Sequence, residues 1–121
     1  SSGAGRVGEY REAVYSACKA GIIALSKSVA RETGRYGLRL NVVCPGLVVP
    51  PAEESISEES MWNQMRDIFT DEVRERVERS YPLRRMAKAS EIANAVVFLS
   101  SDAASFITGQ TLSVSGGYTM M

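Results

Sequence analysis

The chain has 121 residues, 45% hydrophobic and 23% charged, with 14 basic and 14 acidic side chains and no histidine. One domain fits that length, and zero net charge excludes the usual nucleic-acid binder, whose affinity rests on phosphate neutralisation. The lack of histidine removes the usual catalytic triads, two cysteines make neither a disulfide framework nor a zinc site, and no apolar run nears the roughly 20 residues of a membrane helix. A soluble, cytoplasmic α/β chain with no metal is the expectation.

The neutral total conceals a gradient. Residues 1–50 carry seven basic and three acidic side chains, residues 51–81 four and nine, and residues 82–121 three and two. The acidic middle therefore reads as a helical insert, either a solvated face or a lid.

In chain order, Gly3-Ala4-Gly5-Arg6-Val7-Gly8 matches the dinucleotide fingerprint G-x-G-x-x-G letter for letter. That fingerprint needs a strand before it and a helix at its end. No strand pattern precedes it, so a glycine-rich loop of another purpose is expected. From Ala13 to about Tyr36, apolar residues recur at three- and four-residue steps and predict a helix. Ala17, Ala20, Gly21 and Ala24 would form its buried, close-packing side, with Gly37 as a left-handed stop. Leu38 to Cys44 reads as a strand ended by Pro45-Gly46. A long helix running into an apolar strand is half of a βαβ unit and predicts a parallel sheet.

Ser55-x-x-Glu58 spells a capping box. Trp62, Met65, Phe69, Val73 and Val77 follow at helical spacing, and Thr70-Asp71 can cap a second helix. Tyr81-Pro82 stops the run. Ser90 is the expected N-cap of a helix over 91–100, with Ile92, Ala95 or Val96, and Leu99 on one face. Thr111 to Val114 reads as a short final strand, closed by Ser115-Gly116-Gly117.

Tyr15 and Lys19 stand four apart, so they share one helix face. A tyrosine has a reference pKa of about 10, too high for easy proton exchange at neutral pH. A nearby ammonium favours the phenolate and lowers that value. The pair thus offers a proton donor and acceptor without histidine. Ser2, thirteen residues before Tyr15, places a hydroxyl where it can reach the same pocket. Asn41 to Gly46 puts a strand end at the carboxyl edge of a parallel sheet, where open α/β proteins bind ligands. Cys18, inside the Tyr-x-x-x-Lys stretch, is expected to pack as a small residue and not to act as a nucleophile.

Ser1-Ser2-Gly3-Ala4-Gly5 with Tyr15-Ser16-Ala17-Cys18-Lys19-Ala20-Gly21 resembles the active-site segment of the short-chain dehydrogenase/reductase family. Tyr36 to Asn41 with Pro45-Gly46, Pro82 to Arg85, Ser90 to Ala93, Phe98 to Asp102 and Ile107 to Leu112 resemble later blocks, in family order. The Val114-Ser115-Gly116-Gly117 ending most resembles bacterial members such as 3-oxoacyl carrier-protein reductases and alicyclic hydroxyacyl-CoA dehydrogenases. The resemblance covers nearly the whole chain.

It implies the C-terminal part of a Rossmann-like, doubly wound parallel sheet with a helical insert. The chain, 1–121, would be a partial single domain, with 51–81 as a substrate lid. The phosphate loop, the cofactor selector and the family's catalytic asparagine would lie before Ser1. Tyr15 would exchange a proton with the substrate oxygen, Lys19 would assist it and hold the nicotinamide ribose, and Ser2 would position the oxygen. Pro45 and Gly46 would pack beside the nicotinamide, and the Val48 backbone would meet its carboxamide. Pro50 stands where the family usually has threonine, which puts one carboxamide contact in question.

The implied activity is hydride transfer between NAD or NADP and a secondary alcohol or ketone, acyl thioesters included. Neither nucleic acid nor membrane is implied as a partner, and the full-length parent would be a homo-oligomer, dimer or tetramer. Met61, Trp62, Met65 and Phe69 would either touch substrate or pack on the body. Arg84 and Arg85 are candidates for a phosphate contact. The alternative is a non-catalytic fragment, or helical association module, that cannot bind the cofactor alone. A weaker third reading is a complete small Rossmann-like domain using Gly3 to Gly8.

Overall fold

A computed structural model of the chain describes residues 1–50, 57–60, 62–63 and 68–121. Gly3 to Gly8 is not an open loop but carries a short helix, α1 (Ala4–Val7), ended by Gly8 at φ 74°. The reason lies in Gly5. A Cβ there would sit 2.6 Å from the carbonyl carbon of Lys19 and 2.7 Å from the nitrogen of Ala20. The missing side chain lets α1 lie directly on the backbone of the next helix. The fingerprint spelling therefore serves a helix contact.

That next helix, α2 (Ala13–Thr33), forms as the spacing predicts. Gly34–Tyr36 continues as a 3-10 turn, and Gly37 stops it in the left-handed region at φ 78°. The face it packs is not the expected one. Ser16, Lys19, Ile23, Ser26, Val29 and Thr33 are part-covered and Ala30 is buried, while Ala17, Ala20, Gly21 and Ala24 are exposed. Contact with α1 runs along the Lys19 side and so turns the small residues outward.

The first strand, β1 (Val42–Pro45), is shorter than the expected 38–44. Residues 39–41 are held by the turn before the last strand instead. Leu40 N–H donates to Thr108 Oγ1 at 3.0 Å, Asn41 Nδ2 to the Ile107 carbonyl at 2.9 Å, and Gln110 N–H to Asn41 Oδ1 at 3.0 Å. These side-chain bonds, with one backbone bond from the Gly109 N–H to the Leu40 carbonyl at 2.7 Å, take the place of the ladder there, which periodicity does not show. Arg39 caps a helix end, donating to the carbonyls of Leu99 at 2.7 Å and Ser101 at 3.2 Å.

The second strand, β2 (Thr111–Val114), lies parallel to β1, with Val42 opposite Thr111 and Pro45 opposite Val114. The parallel pairing is as the sequence predicts. In a parallel ladder the polar groups of alternate residues face opposite sides. Val43 accordingly turns away from β2, and its carbonyl accepts from the nitrogen of Ser1 at 2.9 Å. Cys44 is fully buried between the layers.

Between the strands, α3 (Asp71–Ser80) starts at Thr70, whose hydroxyl accepts from the Val73 N–H at 3.4 Å. Asp71 and Glu72 suit the positive end of its dipole. Arg74 with Glu78 and Arg79 with Glu75, each at 3.2 Å, neutralise part of the acidic insert. Such exposed pairs contribute only tenths of a kcal/mol. Ser55, Met61 and Met65 lie outside the described residues.

The helix α4 (Ala89–Ser100) begins at Lys88 and not at the expected Ser90. Glu91 decides this, because its Oε2 accepts the Lys88 N–H at 2.8 Å while Arg85 grips both its oxygens at 2.6 and 2.8 Å. Leu99 is buried on the expected face, with Ile92 and Ala95 part-covered and Val96 exposed. Among the described residues, no helix is long and apolar enough to cross a membrane.

Two outcomes follow from these contacts. Gly5→Ala pushes α1 off α2, and overpacking of about 1–3 kcal/mol exceeds the helix-propensity gain of about 1 kcal/mol. Urea unfolding reads the loss, and an unchanged midpoint contradicts the close approach. The Glu91 carboxyl is held down to about 2 from its usual 4.5, first by the Arg85 hydrogen bond and then by the Lys88 N–H. A lowered folded value contributes stability above the unfolded one and loses it as pH falls. Glu91→Gln should therefore lower the melting temperature at pH 7, with the gap closing between pH 4.5 and about 2.

Candidate active site

The carboxyl end of the sheet opens into a cavity of about 950 Å³. Four of the sequence-derived site residues, Ser2, Tyr15, Pro45 and Gly46, line it. They arrive from three directions. Ser2 precedes α1, Tyr15 sits in the first turn of α2, and Pro45-Gly46 ends β1.

Each is held by its surroundings. Ser2 Oγ accepts the Ala4 N–H at 3.3 Å, which leaves its own hydrogen free to point into the cavity. Tyr15 is 47% exposed and lines the cavity. One turn on, the Lys19 ammonium lies over the Tyr15 ring, 5.2 Å from its centre. Lys19 is part-covered and is not itself a wall of the cavity. The ammonium adds positive charge beside the phenol, and a cation over an aromatic face is attracted to it.

Gly46 continues the ladder, its N–H donating to the Val114 carbonyl at 2.9 Å. A Cβ there would lie 3.0 Å from the Ser115 Cα and 3.1 Å from the Tyr81 ring. Ser115 is buried, and its hydroxyl closes a tight turn by accepting from the Thr119 N–H at 3.1 Å. Val48 stands apart from the cavity and bridges to Ala87 in parallel fashion.

Trp62, from the insert, lines the cavity and meets Phe69 edge to face, with ring centres 6.0 Å apart. Cys18 is exposed and not packed, because the face of α2 that carries it has turned outward. Arg85 is committed to Glu91, and Arg84, at φ 55°, donates to the Arg79 carbonyl at 2.5 Å. No cluster of metal-ligating side chains occurs among the described residues.

The lining also includes residues that the sequence does not single out for the site, among them Glu9, Leu47, Tyr81 and Tyr118. Tyr81 reads in sequence only as a helix stop before Pro82. The one available signal is an aromatic residue on each flank of the insert's end and the Gly116-Gly117 turn.

Residues 1–119 match the family described as Enoyl-(Acyl carrier protein) reductase. The chain is 42% identical over 120 residues to the 3-oxoacyl-(acyl-carrier-protein) reductase of Staphylococcus aureus, covering 99% of this chain and 44% of that protein. It is 40% identical over 117 residues to the Escherichia coli reductase of the same name, covering 97% and 43%. It is also similar to a crystal structure of actinorhodin polyketide ketoreductase with NADPH, at TM-score 0.83 and 30% identity, over all of this chain and 46% of that one. A short chain dehydrogenase family protein from Francisella tularensis superposes at TM-score 0.70 and 34% identity, over 87% of this chain and 43% of the other. The chain spans less than half the length of these relatives.

Proposed function

The chain belongs to the short-chain dehydrogenase/reductase family, and from that premise we propose that its cavity is the catalytic half-site of an NAD(P)-dependent oxidoreductase acting on a ketone or secondary alcohol. One observation carries the reading: Ser2, Tyr15, Pro45 and Gly46 wall a single cavity, with the Lys19 ammonium 5.2 Å from the Tyr15 ring centre.

The residues suit a nicotinamide nucleotide. The Tyr15 hydroxyl and the Lys19 ammonium, which lies over the Tyr15 ring, suit ribose hydroxyls, and Pro45-Gly46 lines the cavity for the nicotinamide ring. When bound, the nucleotide supplies or accepts the hydride. The chain's own residues handle the oxygen. The Ser2 hydroxyl donates a hydrogen bond to the substrate carbonyl. The Tyr15 hydroxyl gives that oxygen a proton during reduction and takes one back in the reverse direction. Lys19 stabilises the negative charge left on Tyr15. A positioned proton donor of this kind contributes something like 10²–10⁴ in rate.

The relatives named as 3-oxoacyl-(acyl-carrier-protein) reductases support an acyl thioester ketone as substrate class. The chain acts as the C-terminal half of a single domain in a longer, cytoplasmic protein, with 51–81 as its substrate lid and Trp62 on the lid's inner face. That protein associates as a dimer or tetramer. In it, Tyr15→Phe lowers turnover by 10² or more and leaves nucleotide binding within about two-fold. Retained turnover would falsify the assignment.

A second reading, an association module with no nucleotide of its own, is favoured by exposed apolar side chains. Val14 and Leu25 on α2, and Val97 on α4, are more than 60% exposed. Titration of the 121-residue chain with NADH, followed by Trp62 fluorescence, separates the two. No saturable change, together with self-association in the ultracentrifuge, supports the module for the isolated chain.

A further inference from the structure

We propose that Tyr81 is a positioning residue: it sets the loop after Gly46 against the cavity, and Tyr118 extends the same clasp to the loop before Tyr15. The inference rests on the reading of the cavity given above, and it adds residues that reading does not use.

Tyr81 is the first residue after α3 and is only 5% exposed. Its ring is wedged between two glycines at the strand ends. A Cβ on Gly46 would meet the ring at 3.1 Å, and one on Gly116 would meet it at 3.2 Å. The ring therefore has one place to sit. Its hydroxyl accepts the Leu47 N–H at 2.9 Å.

That bond falls where the sheet stops holding the chain. The last ladder bond is Gly46 N–H to the Val114 carbonyl. One residue later, Leu47 takes no partner from β2. Tyr81 satisfies its N–H, and its carbonyl accepts from the Ala87 N–H at 3.2 Å. The two anchors lie where the insert ends, at Tyr81, and shortly after it, at Ala87. The path of the cavity wall at Leu47 is thus set by residues 81–87.

Tyr118 stacks on Tyr81 with ring centres 5.1 Å apart and planes 26° from parallel. Its hydroxyl donates to Glu9 Oε1 at 3.3 Å, at the long end for such a bond. Burial and the adjacent Glu9 carboxylate both push the Tyr118 hydroxyl up, so it stays protonated and stays a donor. Glu9, Leu47, Tyr81 and Tyr118 all line the cavity. Three walls that are far apart in sequence are joined by two stacked rings, each with its hydroxyl used.

A core aromatic needs only its ring, whereas a positioning tyrosine needs its hydroxyl, and Tyr81→Phe separates the two. The full-length protein carrying this chain is compared with Y81F by hydrogen–deuterium exchange and by fluorescence titration with NADPH and NADH. The Leu47 amide should exchange at least ten-fold faster in Y81F. The Kd for the preferred nucleotide should rise three- to ten-fold, and KM should rise by a larger factor than kcat falls.

Unchanged Leu47 exchange or an unchanged Kd overturns the inference while leaving the reductase reading intact. Wild-type protein that binds neither nucleotide overturns that reading, and this inference with it. Tyr118→Phe is the second variant, because it keeps the Tyr81–Leu47 bond. It should speed exchange in residues 9–12 by three-fold or more with Leu47 still protected. No change there removes Tyr118 from the clasp.

Discussion

The close passage at Gly46 governs the rest of the site. The chain leaves β1 there with Ser115 on one side and the Tyr81 ring on the other, and a methyl group would lie 3.0 and 3.1 Å from them. A side chain fits at those distances only if Ser115 or the ring gives by a few tenths of an ångström. Because the strands pair in parallel, the ends of β1 and β2 fall at the same edge, and their exits must share that edge. Glycine at 46 and at 116–117 lets both exits fit with an aromatic ring between them. The cavity follows from this crowding, since both chains turn away from the sheet and leave open the space into which Tyr15 projects.

The features legible in the sequence are those set by short-range rules. The period of α2, the stop at Gly37, the cap at Thr70 and the breaker at Pro45-Gly46 each depend on a few adjacent residues, and each is where the pattern puts it. Ser2, Tyr15, Pro45 and Gly46 were legible too, because their spacing along the chain carries the resemblance. What the sequence hides is set by partners far along the chain. Leu38 to Cys44 reads as one strand, yet the 107–110 turn captures the polar groups of Leu40 and Asn41. The start of α4 moves to Lys88 because Arg85 and Glu91 meet. The packed face of α2 depends on α1, which a glycine-rich spelling conceals.

The charge arithmetic gains meaning from the same contacts. The acidic insert is not a uniform field, since α3 pairs two of its arginines with glutamates four residues away. Glu91 is bound to Arg85, and Arg39 spends its guanidinium on carbonyls at the end of α4. Lys19 differs from these. Its ammonium faces the Tyr15 ring and has no carboxylate partner among the described residues, so its charge lies beside a phenol that lines the cavity.

The proposed proton transfer through Tyr15 places a demand on the scaffold that a histidine would not. An imidazole exchanges protons near neutral pH with little help, whereas a phenol needs a cation at a fixed distance. Two residues four apart on a 21-residue helix keep a fixed separation, because the helix itself sets the spacing. A loop could not hold the pair as closely without added contacts. The walls around the pair have the opposite construction: Leu47, Tyr118 and Glu9 sit outside regular structure and are held by side-chain bonds. Variation in those walls can therefore change what enters the cavity without disturbing the spacing of Tyr15 and Lys19.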